Sequence, residues 1–408
     1  MNPTPTLPAP AGTGTLPRGA PASAHAVFRL LRRLAHGTLE VQLPQGGHAR
    51  FGGGPGPQVA ATVHDWRVFQ RVLARGDIGF GESYIDGDWD SPELTALMRL
   101  LVANRQAVSE ALHGRWWYRA LYRLRHLLRR NSRLQARRNV VAHYDLGNAF
   151  YRLWLDETLA YSSAWFDGDF GLSTEAAQQA KVRRALQQCG IAPGQRLLEI
   201  GCGWGGLAEQ AASEFGARVT GVTLSDEQLR HAQLRLSRQG LQAQLRLQDW
   251  RDIDDGPYDA ICSIEMFEAV GREYWDRFLA LLHRQLKPGG RACLQTITLR
   301  EDLYADYLRS TDFIQQYIFP GGLLPSRSAF LAAARRAGLQ VVAELDFGLD
   351  YAETLRRWHA RFAAAHAEVR QLGFDTRFIR LWSFYLAYCE AAFAQRDTSV
   401  VQFTLQRA

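Results

Sequence analysis

Short apolar runs alternate with stretches of helical periodicity from about residue 140 to the end of the chain, which is the pattern of a doubly wound α/β sheet. Arg196 to Ile200, Arg218 to Val222, Ala243 to Leu247, Ala260 to Ile264 and Arg291 to Ile297 read as successive strands. Leu207 to Phe215, Asp226 to Arg238 and Glu273 to Leu286 read as helices between them. Two further strand-like segments, Gln340 to Leu345 and Val400 to Gln406, bracket a long helical stretch that ends in Phe374 to Gln395. Upstream, residues 25–112 read as a small mixed domain, with strands at Gly37 to Leu43 and Gln58 to Val63 and helical pattern from Ser91 to Leu112. Residues 1–24 are rich in Pro, Ala, Gly and Thr, with Arg18 the only charged side chain, and are expected to be a disordered tail. No internal repeat is evident.

A chain of 408 residues with 47% apolar content can build two domains or one large elaborated core. No uncharged run is long enough for a transmembrane helix, so any membrane contact is expected to be peripheral to a cytoplasmic protein. The five cysteines are scattered without a C-x-x-C pair, which argues against a disulfide framework or a metal site and for a reducing compartment. The net charge of +7 is concentrated: Arg115 to Arg138 contains nine arginines and no acidic residue. Trp116, Trp117, Tyr118 and Tyr122 are interleaved with them, and Trp117, Leu121, Leu124 and Leu128 fall on one helical face. A basic amphipathic linker helix over 113–139 follows, either solvated and packed on the core or laid against anionic headgroups. Nucleic acid ranks below lipid, because nothing beyond charge supports it.

The run Glu199-Ile200-Gly201-Cys202-Gly203-Trp204-Gly205-Gly206 joins a buried strand to a helix through glycine, where backbone N–H groups can meet an anion. Its spacing suits either a dinucleotide or S-adenosylmethionine. A dinucleotide site requires a carboxylate at the end of the second strand, and Val222-Thr223-Leu224-Ser225 offers none before Asp226. Glu199 before the glycines, and a tight turn at Leu286-Lys287-Pro288-Gly289-Gly290 before the fifth strand, favour S-adenosylmethionine. Its ammonium, carboxylate and adenine require an acidic partner, N–H donors and an apolar slot, which Glu199, the glycine loop and Trp250 can supply. Ordinary core packing is the competing account of Trp250.

Further blocks closely resemble the cyclopropane fatty acid synthases. They are His143-Tyr144-Asp145-Leu146-Gly147-Asn148, Tyr161-Ser162-Ser163-Ala164-Trp165, Met266-Phe267-Glu268-Ala269-Val270-Gly271 and Tyr317-Ile318-Phe319-Pro320-Gly321-Gly322. Asp350-Tyr351 with Thr354-Leu355, Tyr388-Cys389-Glu390 and Gly81 to Gly87 extend the resemblance over roughly residues 70 to 407. It implies an α/β fold: a Rossmann-like class I methyltransferase sheet (residues 140–408) with a helical substrate-binding insertion, plus the smaller mixed N-terminal domain. It also implies cofactor contacts from Tyr161, Ser162, Gly201, Gly203, Thr223, Gln228, Trp250 and Ile264, with Glu199 and Asp249 beside them. An acyl pocket would be closed by residues from about 298 to 335, within an insertion running to about 395, where Phe313, Ile314, Tyr317, Ile318 and Phe319 suit a lipid tail. Core packing accounts equally well for any one of these.

The reaction so implied is methyl transfer from S-adenosylmethionine to the double bond of an unsaturated acyl chain, then loss of a proton from the carbocation to close a cyclopropane. Family members hold bicarbonate as the base through a Glu, a Tyr, a His and the backbone of a Cys-containing turn. Glu268 and Tyr351 match, whereas Gln295 stands for the His and Ser163 for the Cys. Glutamine donates a hydrogen bond but takes up neither a proton nor a positive charge, so the alternatives are an anion held less tightly or a different fate of the carbocation, such as a methyl or methylene branch. His143 and Tyr144 are expected beside the cofactor, and Cys389 near the pocket without acting as a nucleophile. The implied partners are unsaturated phospholipid in a bilayer and an anionic membrane surface, with no nucleic acid and with room for a homodimer. An amine N-methyltransferase is the competing small-molecule reading; the N-terminal domain and arginine segment weigh against it.

Overall fold

A computed structural model describes residues 16–108 and 146–408. The expected basic helix at 113–139, His143 and Tyr144 lie outside the described residues. The chain divides into two compact units, one of residues 1–122 with 375–395 and one of residues 123–374 with 396–408.

In the first unit, β1 (Thr38–Gln42), β2 (His48–Gly52), β3 (Gln58–Val63) and β4 (Trp89–Asp90) form a sheet in the order β2-β1-β3-β4. A helix over Ala22–Leu31 shortens the expected disordered tail. Ala24, Val27, Phe28 and Leu31 recur at helical spacing and are buried, and the Phe28 ring meets Phe51 at 4.8 Å and Phe69 at 5.5 Å. The expected helix from Ser91 is observed over Leu94–Ala103.

The helix Thr376–Ala394 also belongs to this unit, which corrects the assignment of residues 140–408 to a single domain. Its Phe384 ring meets Phe80 at 6.1 Å, and the Arg380 guanidinium sits 4.0 Å from the centre of the Tyr84 ring while donating to the Trp89 carbonyl at 2.9 Å. A cation over the face of Tyr84, which lies on the helix Arg67–Ile85, and a hydrogen bond to the backbone of β4 fix the helix within this unit.

The second unit is built on seven strands: β5 (Arg196–Ile200), β6 (Arg218–Thr223), β7 (Ala243–Leu247), β8 (Tyr258–Ile264), β9 (Leu286–Leu299), β10 (Leu339–Asp346) and β11 (Thr398–Arg407). Their order is β10-β11-β9-β8-β5-β6-β7, with β5 to β9 parallel and β11 antiparallel to both neighbours. The order reverses between β5 and β8, so the crevice beyond their carboxyl ends is the place for a ligand. The Lys287 to Gly290 turn is absorbed into β9: Tyr258 pairs with Leu286 and Ala260 with Arg291, leaving a bulge in which Gly289 has φ 74°.

Against one face of this sheet lies a core containing Phe267, Phe278, Phe330 and Phe403, with Phe330 stacked on Phe403 at 4.2 Å. Phe330 is fully buried, so its loss leaves a cavity as well as forfeiting transfer energy. Phe330→Ala is expected to destabilise the larger unit by about 3–5 kcal/mol, read from its chemical unfolding transition.

Candidate active site

The glycine loop leaves β5 at the point of strand reversal. Gly201, Gly203 and Gly205 have φ of 88°, 49° and 84°, a region costly for residues with a Cβ. The Gly201 and Cys202 N–H groups donate to the Val222 carbonyl at 2.9 and 3.0 Å, which anchors the loop to β6. A Cβ on Gly201 would meet Met266 at 3.0 Å, whereas one on Gly203 would meet nothing within 4 Å, so the loop packs on the segment after β8 and leaves its Gly203 side open.

The remaining expected cofactor residues surround this loop. Thr223 ends β6 and donates to Gln228 Oε1 at 2.9 Å, and Ser225 caps the helix Asp226–Arg238 that carries Gln228. Ile264 ends β8. Asp249 caps the short turn Trp250–Asp252 and pairs with the buried Arg251 guanidinium at 2.7 Å. Trp250 packs edge-on to Phe278 at 5.1 Å and beneath Arg251, so it is a core residue in this structure. Glu199 Oε2 is buried without a hydrogen-bond partner, an acceptor that suits an ammonium group. Burial pushes its pKa well above the ordinary range.

The second cluster forms where β8 ends. Glu265 adopts φ 49°, and its carboxylate draws donors from three elements. Ser163 N–H donates to Oε1 at 2.9 Å, Gln295 Nε2 to Oε1 at 2.7 Å and Tyr351 OH to Oε2 at 2.7 Å. Burial raises the Glu265 pKa, while Tyr351, Ser163, the Lys181 charge and Gln295 pull it back. Gln295 lies opposite Gln402 across β9 and β11, and its Oε1 accepts from Gln402 Nε2 at 3.0 Å, which turns its NH2 toward Glu265. Arg184 donates in turn to Gln402 Oε1 at 2.5 Å. Rings line the same region: Tyr161 is 5.5 Å from Trp358, Trp358 is 6.1 Å from Tyr351, and Tyr161 is 6.3 Å from Phe319.

Residues 131–403 match the family described as mycolic acid cyclopropane synthetase. The chain belongs to that family. It is 39% identical over 406 residues to tuberculostearic acid methyltransferase UfaA1 of Mycobacterium tuberculosis, covering 96% of this chain and 94% of that one. It is 37% identical over 343 residues to the cyclopropane-fatty-acyl-phospholipid synthase of Escherichia coli strain K12, covering 83% of this chain and 85% of that one. Among solved structures, mycolic acid cyclopropane synthase CmaA1 complexed with SAH and CTAB aligns with a TM-score of 0.63 at 34% identity, covering 66% of this chain and 98% of that one. The protein is thus a cyclopropane synthase-like methyltransferase that uses S-adenosylmethionine as methyl donor.

Within this family member, Ser163, Gln295 and Tyr351 converge as the sequence suggested, but on Glu265 rather than Glu268. Glu268 Oε1 instead accepts from Thr296 Oγ1 at 3.0 Å and Ile297 N–H at 2.5 Å, and its Oε2 is buried without a hydrogen-bond partner. Sequence reasoning missed Glu265, although a carboxylate directly after the strand at the reversal point was a usable signal. Ser162 Oγ accepts from the buried Lys181 ammonium at 2.7 Å. Cys389 is half-buried on the helix Thr376–Ala394 of the first unit. Among the described residues no group of three His, Cys, Asp or Glu side chains could hold a metal.

Burial and then the neighbouring Glu265 charge push the Glu268 pKa from 4.5 to about 8. The folded protein therefore keeps a proton that the unfolded chain releases between pH 4.5 and about 8, so this group makes stability fall as pH rises through that window. Lys181, depressed by burial from 10.5 to about 8, changes its contribution only above that window. Glu268→Gln is expected to gain on the parent from pH 5 to pH 8, with a slope of at most ~1.4 kcal/mol per pH unit, measured by denaturant midpoints. Gly203→Val is expected to abolish S-adenosylmethionine binding in calorimetry, since its side chain enters the open side of the loop in a strained conformation.

Proposed function

We propose that this methyltransferase adds the methyl group of S-adenosylmethionine to the double bond of an unsaturated acyl chain in a membrane phospholipid, with ring closure to a cyclopropane. The observation that carries the proposal is the wall of Tyr161, Trp358 and Tyr351 beside the carboxylate at the end of β8. A carbocation formed on an alkene has no hydration shell in an apolar pocket, and ring faces with a nearby anion supply the stabilisation that water would have given. S-adenosylmethionine supplies an electrophilic methyl carbon; the residues of this chain orient the acyl chain, exclude water and accept the proton that is lost.

The insertion supports a lipid substrate. Phe313 and Ile318 are buried, while Tyr317 and Phe319 stay 38% and 36% exposed on the same short segment, an apolar rim of the kind an acyl chain would cross. The Escherichia coli relative is named for acting on phospholipid acyl chains. Peripheral binding to an anionic membrane surface fits the nine arginines between Arg115 and Arg138, and among the described residues no helix is long and apolar enough to cross a membrane.

A second reading, C-methylation that leaves a branch, is favoured by one specific observation: the relative that matches over 96% of this chain is named a methyltransferase rather than a cyclopropane synthase. Loss of a chain proton instead of a methyl proton would give a methyl-branched alkene of the same mass as the ring, and a hydride shift to the cationic carbon followed by loss of a methyl proton would give a methylene branch of that mass. Incubation with S-adenosylmethionine and vesicles of unsaturated phospholipid is expected to add one CH2 to the acyl chains in mass spectra, with upfield cyclopropyl protons in NMR. A methyl group on or beside the double bond, or vinylic methylene protons, would establish the branch, and unaltered lipid beside methylated small amines would refute a lipid substrate.

A further inference from the structure

We propose that Glu265 is the catalytic base of the reaction, a carboxylate built into the chain where bicarbonate was expected. The inference rests on the lipid C-methylation reading above. Ser163 N–H, Gln295 Nε2 and Tyr351 OH, three of the four groups expected to hold the anion, are engaged by Glu265 at 2.7–2.9 Å, and the fourth, Glu268, is bonded to Thr296 and Ile297. A separate bicarbonate does not fit among them, because its donors are taken and a second anion against a carboxylate is repelled.

Three features mark Glu265 as more than a filler of space. Its backbone is left-handed at φ 49°, a conformation that is costly for a non-glycine residue and persists where the surroundings over-determine it. Its donors are themselves aimed, since the Gln295 amide is locked by Gln402 and that in turn by Arg184. It also retains accessible surface, and its Tyr351 partner belongs to the ring wall.

The step balances on this chain alone. The alkene π pair attacks the methyl carbon, the C–S bond breaks with its pair retained by sulfur, and the other alkene carbon becomes cationic. One Glu265 oxygen then takes a proton from the added methyl group, and the released C–H pair forms the third ring bond. Abstraction from the adjacent chain carbon would give the branched alkene by the same transfer. The proton afterwards leaves Glu265 for solvent, which restores the carboxylate.

The test uses the full chain with S-adenosylmethionine and unsaturated phospholipid vesicles, in buffer purged of carbon dioxide and in buffer with added bicarbonate. The parent protein is expected to turn over equally in both. Glu265→Gln is expected to keep its calorimetric affinity for S-adenosylhomocysteine while losing about 10²-fold or more in turnover. Glu265→Gly relieves the backbone strain and vacates the three donors, so added bicarbonate is expected to restore its turnover at least about tenfold. A parent rate that collapses without bicarbonate, a Gln variant that turns over like the parent, or a Gly variant indifferent to bicarbonate would each overturn the base assignment while lipid methylation stood. A parent protein that leaves lipid unmodified in both buffers would overturn the lipid reading and the base assignment together.

Discussion

A carboxylate taken out of bulk water must be met by hydrogen-bond donors or it will bind a proton, and the chemistry-bearing half of this protein is organised around meeting that requirement at Glu265. Its donors come from a loop, from β9 and from the helix Gly348–Ala364, elements far apart in sequence. Each is tied down again behind the contact. Ala164 N–H donates to Thr354 Oγ1 at 3.1 Å and Phe166 N–H to Asp350 at 2.6 Å, which pins the loop carrying Ser163 to the helix carrying Tyr351. Gln295 is pinned from the other side by Gln402. Loosening any of these would cost the carboxylate a donor and shift its proton affinity, so the cluster behaves as one unit.

The same geometry explains why the glycine loop and this carboxylate are neighbours. Parallel strands end on one side of the sheet, and the reversal of order between β5 and β8 opens a crevice there. The glycine loop leaves β5 and the Glu265 segment leaves β8, and the two touch where Met266 lies against Gly201. Ser263 Oγ donates to the Ile200 carbonyl at 2.8 Å, closing the base of the crevice. The proposed arrangement, a methyl donor at the loop and a base at the end of the neighbouring strand, therefore requires no special scaffold beyond this topology.

Legibility in the sequence followed the range of the interactions. β3, β5 and β7 were readable residue for residue, because an apolar run bounded by polar or turn residues is a local signal. The helix Thr376–Ala394 was readable as a helix but not as part of the first unit, since periodicity reveals an apolar face and not the surface that covers it. The helix Ala22–Leu31 was hidden by the Pro, Ala and Gly composition around it, though Phe28 and Leu31 carry the face that anchors it. The bulge in β9 looked like a turn because a Pro-Gly-Gly run reads the same in either setting. At the site, Ser163, Gln295 and Tyr351 were legible through ordered blocks. Glu265 was not, since its role depends on three partners brought in by the fold.

Glu265 and Glu268 are three residues apart, and burial raises the proton affinity of both, but the hydrogen-bond donors that oppose it are shared unequally. Glu265 has three donors on its two oxygens, whereas Glu268 has donors on one oxygen only and faces the Glu265 charge. Two adjacent carboxylates cannot both ionise cheaply, so a Glu268 that keeps its proton to about pH 8 leaves the negative charge with its neighbour. Gln295 fits that division. A glutamine can only donate its NH2 once Gln402 has claimed its oxygen, and it brings no positive charge. A mobile anion is held more tightly beside such a charge, whereas a carboxylate bonded to the chain does not depend on one. The neutral Gln295 and the left-handed Glu265 are, on this account, two halves of one substitution.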